Sequence, residues 1–562
     1  MERVASCGWR GRNQRKMGKM RSYLKKIQKE IILFVTAGSS AYIFSGFLPY
    51  FIKRMFEGAY VEAVIGYCVC LAAYILFSYL TNLSQVVYKN KFDTLVKKDY
   101  FDKAFSLREE AFQKKEVGEY ISFQVNDITE ISENYLNPFV GILLQGIRIV
   151  IVLIIILFVL NYQMTLLLCA ATALSIMLPK SLGKETAKRR AAYLGEQKVY
   201  YSRMEDFYHG HKVSNNRTIR RITSLHGESL DHVLKERIHY GKANSLMWTI
   251  NGLGIECINL LIFLYLGFLL FKGSVSAGFA IAAFQYTRSL MEPVQEILYN
   301  KSLLHSMDEV IQAFLDFINT DKGANQADNF VHADQISGRD DQPYILVQKL
   351  SISWNNFRFG RIDLEIQKHK KYALIGVNGS GKSTLFHVLA SQIDAYEGDV
   401  YFRGINIRDR DLSNYIGVLN QDEFVFSADH RDNTTVFGSY DEIKENPFCT
   451  ENRKILESGD CSVLSGGEKN LLNLERAYNE NTEVLLLDEP LAAVDEGRKD
   501  VLLNKILSME KTIIMVTHDV GKSLERFDSV ILMKNGQILY NLPYAQIVDR
   551  KEFVELKDSM YR

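Results

Sequence analysis

The sequence has little net charge, few prolines and no cysteines at metal-ligand spacing. Its 562 residues carry a formal net charge of only +1, so the bulk composition offers no electrostatic attraction for a nucleic acid. The 7 cysteines show no metal-ligand spacing, so we expect neither a zinc site nor a disulfide framework. With only 8 prolines in the chain, the long charged stretches between its apolar runs are compatible with helix.

Long apolar runs, in contrast, are abundant over roughly the first 315 residues, and the remainder has the composition of an ordinary soluble α/β protein. A membrane-spanning helix needs about 20 mainly apolar residues. The sequence therefore predicts six membrane helices followed by a soluble domain. The predicted spans are Ile31–Ile52, Val64–Leu83, Pro138–Leu160, Met164–Leu182, Ser245–Phe271 and Ser276–Ile297.

The first 30 residues hold a cluster of basic side chains, and the apolar run that follows them is too long for a signal peptide. A basic flank before a first membrane helix places the amino terminus in the cytoplasm under the positive-inside rule. Nucleic-acid binding by this cluster is the less favoured alternative. The cluster comprises Arg10, Arg12, Arg15, Lys16, Lys19, Arg21, Lys25, Lys26 and Lys29.

The connections between the apolar segments alternate sharply in length. Three are short, namely Lys53–Tyr60, Asn161–Gln163 and Lys272–Ser274. Two are long, charged and compatible with helix, namely Ser84–Asn137 and Gly183–Ala243. Long basic connections belong in the cytoplasm, which agrees with a cytoplasmic amino terminus. We therefore expect a multi-pass plasma-membrane protein with cytoplasmic helical extensions and a cytoplasmic soluble domain.

Three ionisable residues, Arg148, Glu256 and Arg288, lie near the middle of predicted spans. A charge at that depth costs at least about 2.5–3.5 kcal/mol, so each should face protein or water rather than lipid. Asn259 shares a helical face with Glu256, and Gln285 shares one with Arg288. These five residues predict the wall of a translocation cavity.

Two interpretations of these charges stay open. The excess of arginine over glutamate weakly favours a cargo that carries a carboxylate or a phosphate. The alternative is that the charges serve packing alone, with Arg288 paired to Glu292 one turn on and Arg148 paired to Glu256.

In the soluble half, an apolar strand runs directly into a glycine-rich segment, and an apolar helical run follows. In this context the glycines let backbone N–H groups wrap phosphates, and the helix amino terminus adds positive potential. The lysine reaches the β- and γ-phosphates, and the first hydroxyl after it is a Mg²⁺ ligand. The predicted phosphate site comprises Gly376, Asn378, Gly379, Ser380, Gly381, Lys382, Ser383 and Thr384.

A second hydrophobic strand, starting at Val484, ends in the two carboxylates Asp488 and Glu489. After a phosphate-binding loop, this pattern predicts that Asp488 holds Mg²⁺ and that Glu489 acts as general base on the attacking water. Together the two motifs predict an ATPase that uses ATP and Mg²⁺.

Between these motifs, the run Leu464-Ser465-Gly466-Gly467-Glu468 opens a helical stretch, where small residues expose backbone N–H groups for a phosphate. This run resembles the signature of the ABC superfamily. Together with the six spans and long connections, it is similar to bacterial exporter-type (type IV) half-transporters. The resemblance implies that residues 465–468 complete the nucleotide site of a second subunit, so that two ATP molecules are held in a dimer.

Other elements of the same family follow in the family's order. Gln421 matches the residue that contacts the metal and the attacking water, Asp495 matches the D-loop, and His518 matches the switch histidine. Trp354 stands near the position of the aromatic that stacks on adenine, although Phe357 and Phe359 compete for that role.

The predicted fold is thus a multidomain membrane protein: a six-helix, all-α transmembrane domain with long cytoplasmic extensions, followed by an α/β P-loop ATPase domain. We divide it into a basic segment (1–30), a transmembrane domain (31–318), a linker (319–343) and the nucleotide-binding domain (344–562).

The resemblance implies ATP-driven transport, with export of a small peptide, a lipid-like molecule or an amphiphilic compound favoured. Because Lys382, Asp488, Glu489 and His518 are all present, a homodimer in the lipid bilayer is favoured over a heterodimer with a different half-transporter. We expect no nucleic-acid partner and no leader-cleaving peptidase. Import of metal chelates stays an alternative, whereas a non-transport ATPase is disfavoured by the six spans.

Overall fold

A computed structural model of the chain describes residues 19–107, 109–177, 183–319, 343–354, 357–393, 396–408, 410, 412–421, 424–443, 446–448, 453–492 and 494–560. Two compact units divide the chain. The first comprises Met1–Lys103 and Val117–Thr320, and the second comprises Ala104–Glu116 and Asp321–Arg562. Most of the predicted linker, residues 320–342, lies outside the described residues, so the predicted domain boundaries stay predictions.

The first unit, here the membrane unit, is built from helices. Residues 19–26 are helical and precede the first long helix. Further along, Gly210–Val213 forms a short helical turn, whereas the short helix Glu109–Phe112 belongs to the second unit. The long helices are α1 (Gln28–Phe56), α2 (Tyr60–Phe105), α3 (Val117–Val159), α4 (Tyr162–Met177), α5 (Gly183–His209), α6 (Ile219–Phe271), α7 (Ala277–Ser306) and α8 (Asp308–Asn319).

All six predicted spans lie in helices, apart from the end residues Leu160 and Ser276, which are extended caps, and residues 178–182, which fall outside the described residues. Among the described helices, α1, α2 and α3 are long and apolar enough to cross a membrane, and Tyr162–Ala173 and Glu256–Phe271 are shorter apolar segments. The sixth predicted span lies in α7, which does not meet the same criterion. Polar side chains such as Arg288 and Glu292 lower its hydropathy.

The long charged connections are mostly helical, as the sequence predicts, with non-helical residues at 106–107, 113–116 and 214–218. Helix α2 runs 46 residues and α6 runs 53 residues, so each joins an apolar and a charged segment without a break. Helix α3 contains two π-helical turns, Phe123–Asp127 and Ser132–Leu136, which sequence analysis did not predict. A π turn shifts each backbone hydrogen bond by one residue and carries no compositional signal of its own.

Helices α1, α3 and α7 pack closely at two glycines. A Cβ added at Gly278 would lie 2.7 Å from the backbone oxygen of Lys53, so only glycine lets the start of α7 approach α1 this closely. Deeper in the bundle, the buried Tyr286 hydroxyl donates a 2.8 Å hydrogen bond to the Gly46 carbonyl. The α3 residue Ile155 packs in the same core. These contacts hold the three helices together at the polar residues described below.

The second unit, here the ATPase unit, contains two sheets. A four-stranded sheet has the order β2-β1-β4-β5, and a six-stranded sheet has the order β10-β9-β3-β8-β7-β6. The strands β3, β6, β7, β8 and β9 pair in parallel, whereas β10 is antiparallel to β9. The strands are β1 (Ile345–Trp354), β2 (Phe357–Ile366), β3 (Lys371–Gly376), β4 (Glu397–Phe402), β5 (Ile405–Asn406), β6 (Ile416–Leu419), β7 (Val484–Asp488), β8 (Thr512–Val516), β9 (Ser529–Lys534) and β10 (Gln537–Leu542).

The helices of this unit connect the strands and cover the six-stranded sheet. They are α9 (Lys382–Leu389), α10 (His430–Thr435), α11 (Arg453–Leu456), α12 (Gly466–Asn479), α13 (Glu496–Leu507), α14 (Tyr544–Ile547) and α15 (Lys551–Met560). All six residues of β3 and all five of β8 are buried, as expected for central parallel strands covered on both faces. The carboxyl ends of β3, β7, β8 and β6 therefore meet at one edge, where ligands bind in folds of this kind.

Candidate active site

A cavity of about 390 Å³ opens at this edge of the six-stranded sheet. Each adjacent strand contributes the residues that directly follow it, which is why segments distant in sequence meet here. The lining includes ten of the residues predicted from sequence: Asn378, Gly379, Gly381, Lys382, Ser383, Thr384, Gln421, Asp488, Glu489 and His518. Val516, at the end of β8, also lines the cavity and was not predicted.

The loop between β3 and α9 uses glycine where the backbone requires it. Gly379 has a φ of +76° and Gly381 a φ of +101°, both in the left-handed region. A Cβ added at Gly379 would meet nothing within 4 Å, so the loop leaves open space there, whereas one at Gly376 would lie 2.3 Å from the Met533 carbonyl oxygen. A loop of this shape before a helix amino terminus fits a bound phosphate chain.

Lys382 is buried in the first turn of α9 and folds back over the loop. Its ammonium donates hydrogen bonds to the backbone oxygens of Gly376 at 2.8 Å and Val377 at 3.3 Å. Burial lowers the pKa of Lys382, and the nearby charges of Glu489 and Asp488 oppose this shift. An anionic ligand in the cavity would favour the charged ammonium further.

Ser383 and Asp488 supply hard oxygen ligands to the same cavity. Burial, followed by the charge of Glu489, raises the pKa of Asp488. A hydroxyl and a carboxylate beside a phosphate site are the donor set that Mg²⁺ prefers, so the residues present fit a magnesium ion.

Glu489 receives hydrogen bonds from two other strand ends. His518 Nε2 lies 2.7 Å from one carboxylate oxygen, and Gln421 Nε2 donates to the other at 3.3 Å. The Glu489 backbone N–H also donates to the Val516 carbonyl at 3.1 Å. The side chain is thus fixed at both oxygens, as a positioned general base requires.

The signature residues form the start of α12 and do not line this cavity. Ser465 is the N-cap, and its backbone N–H and hydroxyl bond the Glu468 carboxylate at 2.9 and 2.7 Å. This reciprocal capping box fixes the first turn, and Ser465 and Gly466 stay exposed. The exposed helix start is available to another molecule.

Three further predicted residues, Ser380, Asp495 and Trp354, are not among the residues that line the cavity. Ser380 is buried, and its Oγ has no hydrogen-bond partner among the described residues. Asp495 occupies the N-cap position of α13 without a side-chain capping hydrogen bond and is exposed. Trp354 ends β1, but its side chain lies outside what the structure describes, as do those of Phe357 and Phe359.

The membrane unit has a second cavity, also of about 390 Å³, lined by residues of α1, α2, α3 and α7. Of the five residues predicted to form a translocation cavity, Arg148 lines it, whereas Glu256, Asn259, Gln285 and Arg288 do not. Asn259 is buried and donates a 3.4 Å hydrogen bond to Glu256 along α6.

The pairing suggested for a packing role is wrong. Arg148 on α3 bonds Glu292 on α7 at 2.9 Å, rather than Glu256 on α6. Because α3 and α7 are adjacent in the bundle, their side chains meet across the helix interface, and spacing along one helix cannot predict such a pair. Sequence analysis also missed Tyr42, whose ring centroid lies 4.9 Å from the Arg148 guanidinium carbon. No motif marks such a tyrosine within a membrane span.

Comparison with known proteins agrees with both units. The sequence matches the family described as ABC transporter over residues 359–492 and the family described as ABC transporter transmembrane region over residues 30–294. The energy-coupling factor transporter ATP-binding protein of Fusobacterium nucleatum is 32% identical over 231 residues, which are 37% of this chain and 86% of that protein.

Two comparisons extend over most of the chain. The lactococcin-G-processing and transport ATP-binding protein of Lactococcus lactis is 24% identical over 561 residues, covering 93% of this chain and 76% of that protein. A solved bacterial Atm1-family ABC exporter with ATP bound has a TM-score of 0.77 and 14% identity, covering 96% of this chain and 99% of that one. The structural likeness shows a common fold.

Proposed function

The chain belongs to the ABC transporter family, with a transmembrane region and an ATPase domain in one polypeptide, and on that premise we propose that two identical chains export a small solute. Its ATPase domain binds ATP, and hydrolysis is coupled to transport. The observation that carries this proposal is the convergence of Lys382, Asp488, Glu489 and His518 on one cavity.

Hydrolysis at this site rests on how the chain holds Glu489. The hydrogen bonds from His518 and Gln421 orient the carboxylate, so that it can accept a proton from a water molecule beside the terminal phosphate. Lys382 and the N–H groups of the glycine loop bind the phosphate oxygens and hold the nucleotide in place. When bound by Ser383 and Asp488, Mg²⁺ supplies neutralisation of phosphate charge.

A second chain supplies the remaining ligand of each site in this proposal. The signature turn at Ser465 and Gly466 is exposed and lies outside the cavity of its own chain. A symmetric pair would place each signature turn on the partner's nucleotide and form two equal sites. The complete catalytic set in this chain supports a homodimer.

We assign the cargo to small peptides, lipid-like molecules or amphiphiles. The membrane-unit cavity that Arg148 lines supports a solute path between α1, α2, α3 and α7. The Lactococcus lactis relative is named for lactococcin-G processing and transport, and the solved structure of similar fold is named an exporter, which supports export rather than uptake. We place the ATPase unit and the amino terminus in the cytoplasm, because the basic amino-terminal flank favours that orientation, and we place the chain in the plasma membrane.

The test is ATP hydrolysis by the purified full chain in nanodiscs, compared with the Glu489→Gln variant. We expect Mg²⁺-dependent hydrolysis in the wild type and a loss of at least about 100-fold in Glu489→Gln, because general-base catalysis is removed. Glu555→Gln is the matched control, since Glu555 is half exposed on α15 and bonds only Lys534 and Lys551 among the described residues. It should keep full activity.

Two results would contradict parts of this proposal. A well-folded wild-type dimer without ATPase activity would indicate a different partner half-transporter. Uptake into right-side-out vesicles, rather than into inside-out vesicles, would reverse the direction and favour import.

A further inference from the structure

The membrane-unit cavity is polar although it lies among predicted spans. Its wall carries hydroxyl, amide and charged groups from four helices, including Tyr42, Tyr74, Asn82, Arg148 and Glu292. Its volume of about 390 Å³ falls within the range of roughly 300–1,000 Å³ typical of small-molecule pockets. An apolar ligand would displace water from these groups without offering hydrogen bonds in its place, which is costly. The lining therefore favours a polar ligand.

The hydroxyl groups of this wall present mainly acceptors to a ligand. Ser45 donates its proton to the Tyr42 carbonyl at 3.2 Å, and Thr81 donates to the Phe77 carbonyl at 2.7 Å. Ser289 donates to the Gln285 carbonyl at 3.4 Å. With their protons bound to the backbone, these oxygens can accept hydrogen bonds from a ligand.

The charged groups of the wall form one pair of opposite sign. The Arg148 guanidinium is bonded to the Glu292 carboxylate at 2.9 Å and stacks on the Tyr42 ring at 4.9 Å. Arg148 is held in place, with 18% of its side chain exposed, whereas Glu292 has 59% exposed. The carboxylate can therefore turn to a ligand without repacking of the helices.

Behind the Arg148–Glu292 pair lies another polar side chain, Gln145, whose hydrogen-bonding groups are only partly used. Gln145 is buried one helical turn from Arg148 and donates a 3.3 Å hydrogen bond to the Tyr42 hydroxyl. Its Oε1 has no partner among the described residues, although it is inaccessible to bulk water. Such a group needs a hydrogen-bond partner that the described residues do not provide.

An ion pair in such a wall selects ligands by charge. A purely anionic ligand on Arg148 would leave Glu292 without its partner, and a purely cationic ligand on Glu292 would leave Arg148 without one. The cost falls mainly on Arg148: its side chain is only 18% exposed, so withdrawing Glu292 without a replacement anion leaves a largely desolvated guanidinium uncompensated. A ligand with both charges replaces both partners at once.

We propose that this cavity binds small zwitterions, with the ligand carboxylate on Arg148 and the ligand ammonium on Glu292. The inference rests on the proposed transport function and narrows its cargo class to short peptides and other amino-acid-like solutes. Hydrophobic drugs and lipid chains, which offer no groups for this wall, are excluded as ligands of this cavity.

Direct binding of one dipeptide in four charge forms tests the proposal without turnover. The probes are alanyl-phenylalanine, its N-acetyl form, its C-terminal amide and the N-acetyl amide, titrated into the full chain in nanodiscs by calorimetry. We expect the zwitterion to bind at least about tenfold more tightly than each blocked form, since hydrogen bonds to charged groups contribute about 1.5–3 kcal/mol.

Two variants separate recognition from packing. In Arg148→Gln, the amide should bind as well as the zwitterion, because the carboxylate has lost its partner. In Glu292→Gln, the N-acetyl form should bind as well as the zwitterion. The control Arg221→Gln removes an exposed pair with Glu228 on α6 and should keep the wild-type preference.

The outcomes are distinct from those for the proposed function. Equal binding of all four forms, or an unchanged preference in both Arg148→Gln and Glu292→Gln, would overturn the zwitterion site. Either result would leave Glu489-dependent ATP hydrolysis intact. If the wild type hydrolyses no ATP but still binds the zwitterion more tightly than the blocked forms, only the proposed function is contradicted.

Discussion

Among single residues, Glu489 combines an unusual backbone with an unusually constrained side chain. Its φ of 48° lies in the left-handed region, which glycine tolerates and glutamate rarely adopts. Backbone strain of this kind costs about 1–3 kcal/mol and persists where the surroundings fix it. Here the backbone bond to Val516 and the contacts from Gln421 and His518 supply that restraint.

The side chains of His430 and Glu475 join two helices inside the ATPase unit. His430 in α10 lies 3.1 Å from the Glu475 carboxylate in α12, and the two side chains are only 11% and 4% exposed. The hydrogen bond that His430 donates to the Glu475 carboxylate raises the pKa of His430, against the effect of burial. Protonated histidine is therefore favoured by the folded state.

This pair predicts a pH-dependent stability. Because folding raises the pKa of His430, its contribution is fully present below the unfolded value of about 6.5 and is lost as pH rises through the folded value. A double-mutant cycle with His430→Gln and Glu475→Gln, measured by thermal unfolding, should give a coupling that is larger at pH 6 than at pH 8. We expect roughly 1.5–3 kcal/mol at the lower pH.

The control for this cycle is the exposed pair His305 and Asp308, whose side chains are 76% and 70% exposed. His305→Gln should leave the unfolding temperature unchanged at both pH values. A His430–Glu475 coupling that does not vary with pH would contradict the assigned protonation.

Among the helices of the membrane unit, the packing of α7 against α1 depends on how closely their two backbones approach. The start of α7 lies against the end of α1 because Gly278 has no side chain. Small residues at such crossings let membrane helices pack by van der Waals contact, which is a main source of their association.

Replacing this glycine should separate the helices. Gly278→Ala places a Cβ 2.7 Å from the Lys53 carbonyl oxygen and 2.9 Å from the Phe56 Cβ, so we expect a loss of about 1–3 kcal/mol in stability. Gly267→Ala in α6 is the control, because its Cβ would meet nothing within 4 Å. The measurement is the unfolding temperature of each purified variant and of the wild type. Equal unfolding temperatures would show that the crossing adapts at no cost.

The sequence predicted the periodic and motif-bearing elements well and failed where contacts cross between helices. Strand β3 and the loop to α9 were predictable, because hydrophobic strand, glycine spacing and helix act in one continuous segment. The all-helical membrane unit followed from apolar runs of sufficient length. The π turns of α3 and the pair of Arg148 with Glu292 were not predictable, since both depend on neighbouring helices.

In the whole molecule, the exposed signature turn and the phosphate-loop cavity belong to one chain but do not meet within it. A single chain therefore holds two incomplete parts of different sites in the proposed dimer. This division makes the chain's activity a property of the pair.

Combining two inactive variants in one dimer tests whether each nucleotide site is formed by residues of both chains. Lys382→Ala and Ser465→Arg chains, co-expressed with different affinity tags and purified through both, would contain one intact and one doubly impaired site. We expect about half of wild-type hydrolysis per dimer if the two sites act independently in a symmetric pair. Doubly tagged Lys382→Ala dimers are the control and should be inactive. A mixed dimer no more active than this control would contradict sites shared between chains.

The uninterrupted course of α6 has a mechanical consequence. At 53 residues it is a rod of about 80 Å, with a charged arm at one end and an apolar arm at the other. Tilting such a rod by about 5° moves its far tip by about 7 Å, given its length of about 80 Å. Because α6 is continuous over its 53 residues and contains no proline, it can act as a lever that converts a small rotation near one tip into a displacement at the other.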